Sequence, residues 1–310
     1  MSKKIAVLFS GQGAQAVGMG KDLAAESPAA ASLFQQADEI LGFPLSQIAF
    51  EGPAGELTKT SLCQPALYVH GLACLSALRE KLPGFDFHAA AGLSLGEFTA
   101  HAAAGTFDFE TGLRLVARRA QAMQKACEET GGGMAAIIGG EENRIRDLAS
   151  ATDVDIANLN SPGQIVLSGE SSKIALAVSL AREYGARKAV ELQVAGAFHS
   201  RLMESAYLTL TDALAETALD EPRVPVVCNV DAQSVRDADT IRRTLADQVT
   251  GSVRWAESIE YLLDHLHCAE FVEFGPGGVL AGLIGRIRKG TPVISISNTA
   301  SLDDALKSLA

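Results

Sequence analysis

Residues 90–105 read AAGLSLGEFTAHAAAG, and no other stretch constrains the fold as tightly. A short apolar run, His88–Leu93, leads into a Gly-x-Ser-x-Gly bend, and an alanine-rich segment of helical character, Leu95–Ala104, follows. Strand, sharp turn and helix in that order belong to an α/β architecture, in which a buried strand hands over to a helix packed on the sheet. A serine at such a junction sits on a tight bend above a helix N-terminus. Free backbone N–H groups and the helix dipole there favour the negative charge that develops in acyl transfer. A side chain at either glycine would crowd the turn or block an incoming carbonyl. The context favours Ser94 as a nucleophile, with an ordinary helix N-cap as the alternative.

The remaining chain alternates in the same way. Ile5–Phe9 is an apolar run of strand length ending in SGQGAQ; it is too short for a secretory leader and reads as a first strand. Helical periodicity follows at Leu33, Phe34, Ala37 and Ile40–Leu41, again from Gln64 to Leu82, and from about Phe109 to Glu129. The glycine triplet Gly131–Gly133 marks a boundary. Beyond it, MAAIIG, EENRIRDLASA, VDIANLN, GQIVLSG, SSKIALAVSLAREYG and RKAVELQV read as β-α-β-β-α-β, the split ferredoxin-like unit. The expected organisation is a large α/β domain in two parts, 1–129 and 197–310, with a small ferredoxin-like domain inserted at 130–196. The second part should hold a helix from about Ser200 to Thr217, strand VPVVCN, the amphipathic SIEYLLDHL, strand EFVEFG, helix GGVLAGLIGRI and strand PVISIS. Ser301-x-x-Asp304 resembles a capping box for the last helix.

Charge and cysteine usage exclude several classes. A formal net charge of −11, with no basic run, argues against nucleic-acid or anionic-membrane binding. No apolar stretch is expected to reach membrane-spanning length, since Glu97 and His101 interrupt the best candidate. Five scattered cysteines without a Cys-x-x-Cys pair read as reduced thiols of a cytoplasmic protein, neither a disulfide frame nor a metal site.

A nucleophilic serine needs a base. Of six histidines, His199 is the best placed, because AGAFHSRLM sets it where the insert's last strand returns to the large domain. The helix TGLRLVARRAQAMQKAC sends Arg114, Arg118, Gln121 and Lys125 to one solvated stripe. Arg119 instead aligns with Gly112, Leu115, Ala122 and Ala126. A guanidinium on an apolar face needs an anion, and an internal Asp or Glu and a substrate carboxylate are equal candidates. GQGAQA fits the variant dinucleotide fingerprint, but no following strand supplies the acid a Rossmann unit requires. A glycine turn aiming N–H groups at an oxyanion remains.

LFSGQGAQAVGMG, QPAL, GLSLGEFTA, the Arg119 helix, NSPGQIVLSG, GAFHSRLM, PVVCN, SVRWAESIEYL and VEFGPGGVL occur in the order seen in malonyl-CoA:acyl carrier protein transacylases, and the chain resembles that family over nearly its whole length. The resemblance implies an α/β-hydrolase-like core with an inserted ferredoxin-like domain. It implies Ser94 as nucleophile, His199 as general base, and the Gln248 main-chain carbonyl as the group orienting the base. The oxyanion hole would be the N–H groups of Gln12 and Leu95. Arg119 would clamp the malonyl carboxylate, and Phe198 would leave no room for a branched α-carbon. The partners it implies are malonyl-CoA (with CoA as product) and an acyl carrier protein whose phosphopantetheine takes the acyl group. The expected protein is a cytoplasmic monomer with no cofactor of its own. Two departures stand out: Leu93 replaces the family's usual histidine, and Ser10 a usual proline. Arg286, Arg288 and Lys289 are candidates for docking an acidic carrier. The rival readings are an acyltransferase serving polyketide carriers, a serine thioesterase, and a non-catalytic carrier-binding homologue.

Overall fold

The computed structural model describes residues 3–309. Among these residues the strands are β1 (Ile5–Phe9), β2 (Ala89–Gly92), β3 (Gly132–Ile138), β4 (Asp155–Ser161), β5 (Gln164–Glu170), β6 (Lys188–Glu191), β7 (Val226–Val227), β8 (Ser234–Val235), β9 (Glu270–Phe274) and β10 (Val293–Ile296). They build a six-stranded sheet, β10-β9-β1-β2-β7-β8, and a separate four-stranded sheet, β4-β5-β3-β6. The larger sheet is parallel except for its β7–β8 edge, and the smaller is antiparallel throughout.

β1 is a continuous apolar run because both of its faces are covered. Val7 and Phe9 join the core that contains the long helices Thr60–Lys81 and Phe109–Thr130. Ala6 and Leu8 point the other way, into a second core with Trp255, Ile259 and Leu280. Each large side chain buried there contributes roughly 1.5–3 kcal/mol. Phe9 pairs in register with Gly92 on one side and Phe274 on the other, so three central strands end level. The loops beginning at Ser10, Leu93 and Gly275 therefore open together at the carboxyl edge of the sheet, where open α/β sheets carry their sites.

The glycines of the Gly-x-Ser-x-Gly bend are dictated by contact. A Cβ on Gly92 would lie 1.9 Å from the Gly96 carbonyl, and one on Gly96 would lie 2.1 Å from the Phe9 oxygen. Only bare backbone lets the Leu95–Ala104 helix come this close to the sheet.

The smaller sheet turns Ala135, Ile137, Leu159, Ile165 and Leu167 onto the helices Glu142–Ala151 and Ser171–Leu180. Met134 and Val166, on its other face, join the large core instead. Val253 donates to Ala157 and accepts from Leu159, tying this sheet to the rest of the chain.

Several expected elements are shorter or differently bounded. VPVVCN forms only the two-residue β7, because Asn229 leaves the sheet to hold the Ser94 bend. Strand β6 ends at Glu191, and the helix begun at Ser171 stops at Leu180. The helix expected from Ser200 runs Glu204–Ala215 after a 3-10 turn at Arg201–Met203. The helix Ala238–Asp247, capped by Asp237, was not among the expected elements. The last helix is Thr299–Leu309, and its cap lies one turn earlier than Ser301-x-x-Asp304 suggests. Asn298 Oδ1 accepts from the Ser301 N–H, and Ser301 Oγ accepts in return from the Asn298 N–H. The expectation about membrane-spanning stretches also needs correction. Thr60–Lys81 is long and apolar enough to cross a bilayer, yet most of it is buried inside the protein, as in a core helix.

Candidate active site

At the carboxyl edge of the large sheet lies a cavity of about 280 Å³, roofed by Met134, Asn158 and Val166 of the small sheet. Gln12, Gln64, Leu93, Ser94, Phe198 and His199 line its floor and walls. A wider groove of about 550 Å³ elsewhere, beside Arg114, Arg118 and Glu216, contains no histidine, serine or cysteine.

Ser94 occupies the N-cap position of the Leu95–Ala104 helix but caps nothing with its side chain. Its backbone stands at φ 54° and ψ −104°, a strained conformation for a residue with a Cβ, costing of order 1–3 kcal/mol. Asn229 holds it there: Oδ1 accepts from the Ser94 N–H at 2.7 Å, and Nδ2 donates to the Gly92 carbonyl at 2.8 Å. Freed from capping, Ser94 Oγ lies 2.8 Å from His199 Nε2. The ordinary N-cap alternative is thereby excluded.

His199 Nδ1 lies 2.6 Å from the Gln248 main-chain oxygen. A carbonyl only accepts, so Nδ1 carries the proton and Nε2 presents a lone pair to the Ser94 hydroxyl. Burial, reinforced by the nearby Arg119 cation, lowers the His199 pKa to about 4. The imidazole is therefore neutral and able to accept a proton at neutral pH. Its second partner is a main-chain carbonyl, not a carboxylate, which separates it from the Ser-acid-His order of serine thioesterases.

Arg119 is 1% exposed. Nη1 donates to Gln64 Oε1 at 2.6 Å, and Nη2 donates to Gln248 Oε1 at 2.7 Å and to Ser94 Oγ at 3.0 Å. Its Nε has no partner among the described residues, and Phe98 lies under the guanidinium with Cζ 5.4 Å from the ring centre. Of the two anions considered for Arg119, the internal one is not in contact: its hydrogen-bond partners are all neutral. Burial lowers its pKa to about 10, which leaves it charged at neutral pH.

The two oxyanion candidates are arranged differently from each other. Gln12 borders the cavity on the loop after β1, whereas Leu95 opens the helix with its side chain buried. Neither backbone N–H has a hydrogen-bond partner among the described residues. Ser10, in the place of a proline, anchors this loop: its N–H donates to Phe274 and its hydroxyl to the buried Glu273. Leu93 packs on the apolar side of the second core and leaves the Ser94–His199 contact intact. Phe198 is buried against the cavity, next to the base.

Other histidines lie apart from this site. His70 contacts the Ser297 carbonyl, His101 contacts Thr106, and His88 accepts from Ile5. Arg288 pairs with Asp264 at 2.8 Å, both side chains being about half exposed. Arg286 reaches the side chain of Gln164 at the cavity rim, and Lys289 is exposed. GQGAQA leads into turns, and the next helix starts only at Lys21, too late for a dinucleotide fingerprint. All five cysteines are free and buried.

Gln64, Glu97 and Asn229 carry contacts at the site that the sequence did not assign. Gln64 and Asn229 lay inside the quoted motifs QPAL and PVVCN, and Glu97 inside GLSLGEFTA, but nothing in spacing reveals what each side chain meets.

The acyl transferase domain profile matches residues 7–288. The malonyl CoA-acyl carrier protein transacylase of Bacillus subtilis is 39% identical, covering 99% of this chain and 97% of its own. The polyketide biosynthesis malonyl CoA-acyl carrier protein transacylase PksC of the same organism is 42% identical, covering 92% of this chain and 97% of its own. Among solved structures, the acyl-carrier-protein-S-malonyltransferase of Bartonella henselae superposes with a TM-score of 0.93 at 38% identity, covering 99% of both chains.

Proposed function

The chain belongs to the acyl transferase family, among the malonyl CoA-acyl carrier protein transacylases, and from that premise we propose that it moves malonyl from malonyl-CoA to the phosphopantetheine thiol of an acyl carrier protein. One observation carries the reading: a hydroxyl 2.8 Å from a neutral imidazole is also 3.0 Å from a buried guanidinium that has no carboxylate partner. A thioester with a carboxylate at its far end satisfies both groups at once.

Ser94 Oγ attacks the thioester carbonyl carbon while His199 Nε2 takes its proton. The N–H groups of Gln12 and Leu95 stabilise the oxyanion, each worth about 3–4 kcal/mol. The C–S bond then breaks, His199 returns the proton to the departing CoA sulfur, and malonyl-Ser94 remains. The carrier thiol repeats the sequence in reverse, giving its proton to His199 and releasing Ser94. The Gln248 carbonyl keeps His199 in the tautomer that both halves need. Arg119 binds the malonyl carboxylate, and Phe198 leaves no space for a branched α-carbon. No cofactor of the enzyme's own takes part.

The fold supports a finer description. The large parallel sheet is an α/β-hydrolase-like core formed by residues 1–129 and 197–310. The strand order β4-β5-β3-β6 fits a ferredoxin-like domain inserted at 130–196. The acidic carrier approaches the cavity rim, where Arg187, Lys188 and Arg286 line an adjoining cleft. The enzyme acts as a cytoplasmic monomer, a placement supported by its free, buried cysteines.

A second reading, service to polyketide carriers, is favoured by the 42% identity to PksC. The decisive experiment mixes the protein with malonyl-CoA and examines it by intact mass and peptide mapping. The expected result is a malonyl adduct on Ser94, discharged by a holo carrier; no adduct on folded protein overturns the proposal. Comparing discharge rates with fatty-acid and polyketide carriers separates the two readings.

A further inference from the structure

Behind the nucleophile, Glu97, Gln248 and Arg119 form a buried chain of contacts that the acyl-transfer steps do not use. Ser94-x-x-Glu97 has the spacing of a capping box, in which the glutamate would accept from the serine N–H. That N–H goes to Asn229 instead, and Glu97 turns inward. Glu97 Oε2 accepts from the Asn229 N–H at 3.0 Å and from Gln248 Nε2 at 3.1 Å. The other end of the same amide, Gln248 Oε1, accepts from Arg119 Nη2, while Nε2 also donates to the Ser94 carbonyl. All three side chains are buried, with no direct Glu97–Arg119 salt bridge among the described residues.

The Gln248 amide can face only one way. Reversed, its NH₂ would confront the guanidinium and its oxygen would confront the Glu97 acceptor. A direct Glu97–Arg119 pair would occupy the arginine's fork with an internal anion. Through the amide, Arg119 is held in place while still lacking a carboxylate.

We infer that Glu97 is a positioning residue: acting through the Gln248 carboxamide, it sets the Arg119 guanidinium for the substrate carboxylate. This rests on Arg119 as the carboxylate clamp. The acceptor oxygen of Glu97 is the working feature, so Glu97→Gln, which keeps an oxygen for both donors, preserves function, and Glu97→Ala does not.

The test compares malonyl-CoA and acetyl-CoA as donors, following acyl-Ser94 formation and separating KM from kcat. Glu97→Ala raises the malonyl KM and narrows the malonyl-over-acetyl preference by about tenfold. Glu97→Gln stays within about threefold of the parent protein. Gln248→Met, which keeps the main-chain carbonyl that serves His199, narrows the preference as Glu97→Ala does. The double variant Glu97→Ala/Gln248→Met narrows it no further, since one relay is broken once. Equal loss for both donors, Glu97→Gln as impaired as Glu97→Ala, or full additivity would each overturn the inference. If Glu97→Ala fails to fold, judged by circular dichroism, the contrast of Gln248→Met with Glu97→Gln decides the matter alone. Failure of the underlying function is distinguishable, because it removes the malonyl adduct from the parent protein itself.

Discussion

Replacing Arg119 with leucine isolates what a buried cation does in this site. The substitution removes three hydrogen bonds, at 2.6, 2.7 and 3.0 Å, from a side chain that is 1% exposed. Gln64 Oε1 and Gln248 Oε1 lose their donor, at about 1–3 kcal/mol each. Opposing this, the several kcal/mol that burial of a guanidinium costs is relieved, and leucine restores apolar packing on Phe98. The two effects are of similar size, so the variant should fold and melt close to the parent protein. Catalysis has no such compensation for malonyl. A carboxylate brought to this position without a cation costs about 3–5 kcal/mol, a 200- to 5000-fold loss at about 1.36 kcal/mol per decade. An acetyl donor forfeits only the contact between Nη2 and Ser94 Oγ, which exists in the resting enzyme too, so its loss should be about tenfold or less. Rapid-quench intact-mass analysis of acyl-Ser94 formation with each donor measures both losses. Equal losses would refute the reasoning and make Arg119 a support for Ser94 alone.

Asn229→Ala should slow acylation about a hundredfold with either donor and destabilise the fold by roughly 2–4 kcal/mol, since it orphans the Ser94 N–H and the Gly92 carbonyl beneath a strained bend. Unchanged adduct formation, with denaturant melts alongside, would show that Asn229 does not hold the nucleophile. The pH dependence follows from His199, whose folded pKa, about 4, lies below the ordinary value of about 6.5. A depressed pKa means the neutral base, and the stability linked to it, is intact above about 6.5 and is lost as pH falls through about 4. Acylation rates should therefore stay level from pH 8 to about 5.5. A limb centred near the ordinary histidine value would contradict this environment for His199.

How much of this was legible in the order of residues depends on the range over which each cause acts. The Ser94 bend could be read locally, because the strand before it, the helix after it and both glycines lie within a few residues. Arg119 could be singled out by helical periodicity, which places it on the apolar face, although periodicity is silent about which anion it meets. Locally, His199 stood out only as the best placed of six histidines, and the Gln248 carbonyl was reached by likeness to a family: 105 residues separate His199 from Ser94, and 49 separate Gln248 from His199. Short strands and the Ala238–Asp247 helix escaped for a related reason, being set by what packs against them.

The amino-acid order on its own determined an α/β chain with a serine on a tight bend at a strand end and one arginine turned toward the interior, since these follow from backbone sterics and side-chain period. Only the tertiary structure decided that the arginine's partners are neutral, that Asn229 rather than Glu97 secures the bend, and that one glutamine joins base, cation and nucleophile. Hydrogen bonds are made in space at about 3 Å, and folding brings within that distance groups that the chain keeps more than a hundred residues apart.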